Sequence, residues 1–116
     1  MPSASVPEIF AKYPAATKYY EELLAFVKTL GKSTIEQKKT CAHVVAGSSA
    51  FLGIHPRKTG LRITVVLSQP ISSKRIVKCD KASANRYHID LDINTDHQLD
   101  DEVKKWIAEA YARSSS

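Results

Sequence analysis

The chain has 116 residues and a formal net charge of +5, with 43% hydrophobic and 25% charged residues, the make-up of one soluble domain able to bury its own core. No stretch approaches the roughly 20 apolar residues of a membrane span, and the opening residues lack the apolar run of a secretory signal, so a single cytoplasmic domain over residues 1–116 with no membrane partner is expected. Charge is uneven: residues 32–86 carry eleven basic and two acidic side chains, whereas the two ends together carry six basic and ten acidic, a distribution that would draw an anionic partner to the middle.

Pro7 suits the first turn of a helix, with Ser5 as its cap, and Pro14 interrupts or restarts that helix. From residue 15, Tyr19, Tyr20, Leu23, Leu24, Phe26, Val27 and Leu30 recur at helical steps, and Gly31 is placed to stop the run. The period then changes. Residues 33–40 are polar, 41–46 form a short apolar strand, Ser48 and Ser49 suggest a turn, and 50–55 read as a second strand. A turn at residues 56–60 leads to a β-branched strand at 61–67, a loop at 68–73 and an edge strand at 75–79. Residues 87–93 alternate cleanly, with Tyr87, Ile89, Leu91 and Ile93 on one side and His88, Asp90 and Asp92 on the other. Last comes a helix with the apolar stripe Leu99, Val103, Trp106, Ile107, Ala110 and Tyr111. Asp100, Asp101 and Glu102 occupy its early turns, where negative charge suits the helix dipole, and residues 114–116 read as a frayed tail.

This order predicts an α+β domain: an N-terminal helix, an antiparallel β-meander of four to five strands, and a C-terminal helix. Both helices are expected on one sheet face, leaving the other open. Cys41 and Cys79 read as reduced thiols acting as small buried hydrophobes. No ligand spacing closes a metal shell, and no catalytic motif stands out, so neither a metal nor a cofactor is expected.

The segment Phe51-Leu52-Gly53-Ile54-His55-Pro56-Arg57-Lys58, with Leu61-Arg62, Val65-Val66-Leu67 and Pro70-Ile71, resembles a bacterial family of small α+β domains of unknown function. Tyr87-His88, Leu99-Asp100-Asp101-Glu102-Val103, Trp106-Ile107 and Ala110-Tyr111-Ala112 extend the resemblance, which covers about residues 15–113. It implies a short domain found alone or appended to larger bacterial proteins, and it supplies no catalytic residues.

Alternation assigns the open face. If Leu61, Ile63, Val65 and Leu67 turn toward the helices, then Arg62, Thr64 and Val66 turn outward, and the same logic brings out His43, Phe51, His55, His88 and Asp90. Arg62 and His88 are the leading contact residues, with Phe51 and His55 beside them and Arg57 and Lys58 adding charge from the turn. The expected function is a non-enzymatic binding or interaction module whose basic open face takes an anionic small ligand or a protein partner, including a second copy of the chain. A nucleic-acid-associated domain is the first alternative, since arginines and a sheet aromatic suit phosphate pairing and base stacking. A metal-dependent enzyme or metal carrier built on His43, His55, His88, Asp90 and Asp92 is the second.

Overall fold

After its first helix the chain forms a run of four antiparallel strands, a crossing loop, one further hairpin and a closing helix. The computed structural model describes residues 13–38, 41–47, 49–95 and 98–115. The elements are α1 (Pro14–Lys28), β1 (Thr34–Gln37), β2 (Ala42–Ala46), β3 (Ser49–Arg57), β4 (Gly60–Leu67), β5 (Ile76–Ser83), β6 (Arg86–Ile93) and α2 (Asp101–Ser115). The turn expected at Pro7, with Ser5 as its cap, lies outside the described residues, as does Ser48.

Proline opens α1 at a position where its missing N–H costs nothing. The helix ends at Lys28, and the Thr29 N–H closes the last turn onto the Phe26 and Val27 carbonyls. Gly31 follows at φ 141°, which carries the chain out of the helix where a side chain would be strained. At α2, Asp100 is the cap, its Oδ1 accepting from the Val103 N–H at 3.2 Å. Arg75 clamps the same end: its Nη1 donates to both Asp100 carboxylate oxygens at 2.8 and 2.9 Å and to Glu102 Oε1 at 3.2 Å, and its Nη2 to the Gln98 carbonyl. Arg75 therefore ties the β4–β5 loop to the start of α2.

The sheet has six strands in the order β1-β2-β3-β4-β6-β5, and every neighbouring pair is antiparallel. Sequence reading gave four to five because β1 is exposed at all four positions and so shows no alternation. The meander holds only through β4. The chain then passes over one position, lays down β5 at the edge, and returns with β6 between β4 and β5. The residues account for this exchange. β6 presents Ile89, Leu91 and Ile93 fully buried and needs an interior place, whereas β5 is exposed at every position but its first and carries Lys78, Asp80 and Lys81. Charged side chains suit an edge, where unpaired backbone would otherwise recruit another strand.

α1 and α2 touch one another and both pack against β3 and β4. Their buried residues, among them Tyr20, Leu23, Val103 and Ile107, share one cluster with Leu52, Ile54, Ile63, Val65, Ile89 and Leu91. Burial holds the Tyr20 phenol up to about 12. Trp106 is buried on the helix stripe, and Tyr19 reaches from α1 to donate to the Asn94 carbonyl at 3.2 Å. Ser114 is no frayed tail: its hydroxyl is buried against the Ala46 and Ser49 carbonyls at 2.8 and 2.7 Å, docking the end of α2 on the β2–β3 turn. Cys41 is buried as expected, and burial pushes its thiol up in pKa against the opposing effect of Lys38. Cys79 is instead exposed, because the strand that carries it lies at the sheet edge.

Candidate functional site

Register fixes what the second face of the sheet displays. One row crosses all six strands: Glu36 opposite His43, His43 opposite Gly53, Gly53 opposite Thr64, Thr64 opposite Asp90, and Asp90 opposite Lys78. A second row pairs His55 with Arg62 and Arg62 with Asp92. A third pairs Val66 with His88 and His88 with Asp80. Successive strand residues point to opposite sides, so these rows lie on the side away from the core. His88 is exposed there, and His43, His55, Arg62, Thr64, Asp90 and Asp92 are half-buried.

Phe51 does not join them. Between β2 and β3 the partners step from Val44–Leu52 to Val45–Ala50, so Phe51 is an extra residue in a β-bulge. The bulge breaks alternation and turns Phe51 inward. It is fully buried and meets Tyr111 of α2 edge-to-face, with ring centroids 5.4 Å apart and planes at 86°. Tyr111 continues to the Lys32 carbonyl, accepted at 3.1 Å. Phe51 is thus removed from the candidate binding residues, and Ala50 takes its place on the outer face.

Gly53 supplies the shape. It sits mid-row with a side-chain-bearing residue on each flank, and its missing side chain leaves a depression of about 320 Å³ lined by His43, Ala50, Leu52, Gly53, His55, Thr64, Val66, Arg86 and His88. A Cβ at Gly53 would meet Thr64 Cβ at 3.5 Å and His43 Cδ2 at 3.8 Å. These are ordinary contacts, so the backbone does not require glycine here; the concavity does. A second depression, of about 360 Å³, lies between the β4–β5 loop and α2 against Trp106, Glu109 and Arg113. It gathers no comparable set of titratable groups.

Three imidazoles, a guanidinium, a hydroxyl and an apolar wall converge on the first depression. The polar groups around it are held in place. Thr64 Oγ1 donates to Asp90 Oδ1 at 2.7 Å. Arg62 forks onto Asp92, Nε to Oδ1 at 2.8 Å and Nη2 to Oδ2 at 3.1 Å. That hydrogen bond holds the Asp92 carboxyl below the usual carboxylate range and raises the Arg62 guanidinium further. His55 is held below its ordinary 6.5, first by burial; Asp90 opposes this, while His43, Arg57 and Arg62 add to it. The Cys41 thiol stands 3.7 Å from His43 Nε2.

The charge of this face is nearly balanced. Among the described residues, Lys38, Arg57, Arg62, Lys78 and Arg86 face Glu36, Asp80, Asp90 and Asp92, so five cations meet four carboxylates while the imidazoles are neutral. Three of the cations are paired: Arg62 with Asp92 at 2.8 Å, Lys78 with Asp80 at 3.3 Å and Lys38 with Glu36 at 3.4 Å. The last two pairs are largely exposed and contribute little to stability, yet they cancel charge where the sequence suggested a basic surface. Arg86 stands at the depression with no ion pair among the described residues.

Of the residues selected from sequence, His55 and His88 line the depression, and Arg62 flanks it bound to Asp92. Arg57 ends β3 and Lys58 lies in the two-residue turn after it, both exposed and outside the depression. Gly53 and Arg86 were missed. An isolated glycine inside a strand pattern marks a bulge or a close approach, and that signal was available at Gly53. No group of three His, Cys, Asp or Glu side chains among the described residues is placed to hold a metal ion. No helix is long and apolar enough to cross a membrane among the described residues.

The chain belongs to the family described as Domain of unknown function (DUF5655), whose family model matches residues 6–114. No curated protein and no solved structure matches the chain.

Proposed function

We propose that this domain is a non-enzymatic binding module that takes a small anionic ligand in the Gly53 depression of the open sheet face. The reading rests on one observation: a concavity of about 320 Å³ into which His43, His55, His88 and Arg86 converge, with Thr64 at its floor and Val66 on its wall. That volume falls at the lower end of small-molecule sites, which are mostly apolar with a few placed polar groups. The guanidinium and imidazoles offer donors to an oxyanion, and Val66 and Ala50 offer a surface for an attached apolar group. A compact ligand is favoured over a nucleic-acid strand. A strand needs a run of cations free to neutralise phosphates, and here Arg62, Lys78 and Lys38 are already paired.

The test is chemical-shift mapping of backbone amides during titration with inorganic phosphate, sulfate and a mononucleotide. Shifts are expected to centre on Gly53, Thr64, Val66 and His88. Gly53→Val fills the depression from its floor and should abolish them, while the melting temperature stays close to that of the parent. Shifts centred on the Lys58 turn or the Lys74 loop, and unaffected by Gly53→Val, would overturn the reading.

A further inference from the structure

Among the described residues, neutral imidazoles leave the open face with a single excess cation, and protonated ones change that altogether. His43 faces Glu36 from β1 and stands beside Cys41, which immediately precedes its strand, with Lys38 near the thiol. His55 faces Arg62 from β4, with His43, Arg57 and Asp90 acting on it. His88 faces Asp80 from β5 and Val66 from β4, with Arg86 and Asp90 two residues away along β6. All three imidazoles line one depression. Imidazole changes charge between about pH 5 and 8, so this is the one group type on the face whose charge responds there.

We propose that the depression is an acid-activated anion site, in which an oxyanion and protons on His43, His55 and His88 bind together. This rests on the reading above and adds its regulation. Among the described residues, three of the four carboxylates of the face are paired with fixed cations. Asp90, which accepts from Thr64 and favours the charged form of His55, is one carboxylate for three imidazoles, so full protonation leaves positive charge that no carboxylate cancels. Burial disfavours a lone charge on His55, and an oxyanion lodged in the same concavity supplies the missing counter-charge. By linkage, whatever the proton does for the anion, the anion does for the proton: affinity rises as pH falls, and the bound anion raises the imidazole pKa values.

The experiment uses sulfate, whose own charge is constant across the range, at fixed ionic strength and at about pH 5.5 and pH 8, either side of imidazole titration. Isothermal titration should find affinity about tenfold or more greater at the lower pH, as expected for added unit charges within a few ångströms. Runs in two buffers of different ionisation enthalpy should show net proton uptake. The combined variant His43→Gln, His55→Gln and His88→Gln should bind equally weakly at both pH values. In the unmodified chain, sulfate should move the midpoints of the imidazole Cε1–H titrations upward, a readout that does not depend on the variant folding. Equal affinity at both pH values, or unmoved imidazole midpoints in the sulfate-bound protein, would overturn the proposal and leave the binding reading standing. Absence of sulfate binding at both pH values would overturn both.

Discussion

The two faces of this sheet are made from the same strands, often from adjacent residues, and follow different rules. On the helix side, Ile63, Val65, Ile89 and Leu91 are fully buried, and stability comes from removing apolar surface from water and filling space. On the other side, Arg62, Thr64, Asp90 and Asp92 are half-buried and joined in pairs. The contrast is sharpest at two glycines. Gly60 lies against the Ile93 carbonyl, where a Cβ would collide with backbone. Gly53 has room for a Cβ and leaves that room empty. One glycine is a requirement of the fold, and the other shapes a surface.

The largest effect should come from Phe51, which the bulge assigns to the buried side. Phe51→Ala should lower stability by about 3–5 kcal/mol, as loss of a buried aromatic does, read as a lower denaturation midpoint with an unchanged m-value. A midpoint matching the parent would return Phe51 to the open face and break the contrast at its most informative residue. Next, Gly60→Ala should cost about 1–3 kcal/mol or more, because backbone must move to admit the methyl group; a variant as stable as the parent would show that the close approach at Ile93 is not obligatory.

A smaller effect belongs to the open side. His55 has its pKa below 6.5 in the folded chain, so the unfolded chain binds its proton first as pH falls. Stability should therefore be highest above about pH 6.5, decline below it, and level off once the folded-state value is passed. His55→Gln should flatten this part of the profile in chemical denaturation at stepped pH. An unchanged slope would place the proton elsewhere. Smallest of all, Gly53→Ala should change stability by no more than about 0.5 kcal/mol in either direction, since it adds ordinary contacts and removes glycine's chain entropy. A loss above 1 kcal/mol would make Gly53, like Gly60, a requirement of the fold.

The fold was legible where side chains keep one period. α2 and β6 were read almost to their ends because the stripe through Val103, Trp106 and Ile107 and the alternation from Tyr87 to Ile93 each have one solvent side and one core side. β1 was not read, because an edge strand exposed at every position leaves no pattern. Phe51 was misplaced by the bulge, a single inserted residue that inverts every assignment on one side of it. The exchange of β5 and β6 depends on which strands meet across long separations, which local period does not encode. At the site, His55, Arg62 and His88 were correctly set on one face, but their setting was not foreseen. The Arg62–Asp92 fork joins positions 30 residues apart, and the balance of charge emerges only once the strands are in register.

The insertion of β6 between its neighbours also sets an order of events during synthesis. A chain made from its N-terminus completes α1 and β1 through β4 first, and β5 leaves the ribosome before the strand that will hold it exists. In that interval the outer edge of β4, Leu-Arg-Ile-Thr-Val-Val-Leu from Leu61, is the unpaired border of the nascent sheet and the segment richest in strand-forming residues. Lys78, Asp80 and Lys81 give β5 little tendency to take that place. The border stays open until Ile89, Leu91 and Ile93 arrive to close it, so the nascent chain is most exposed to aggregation while residues 68–93 are being made.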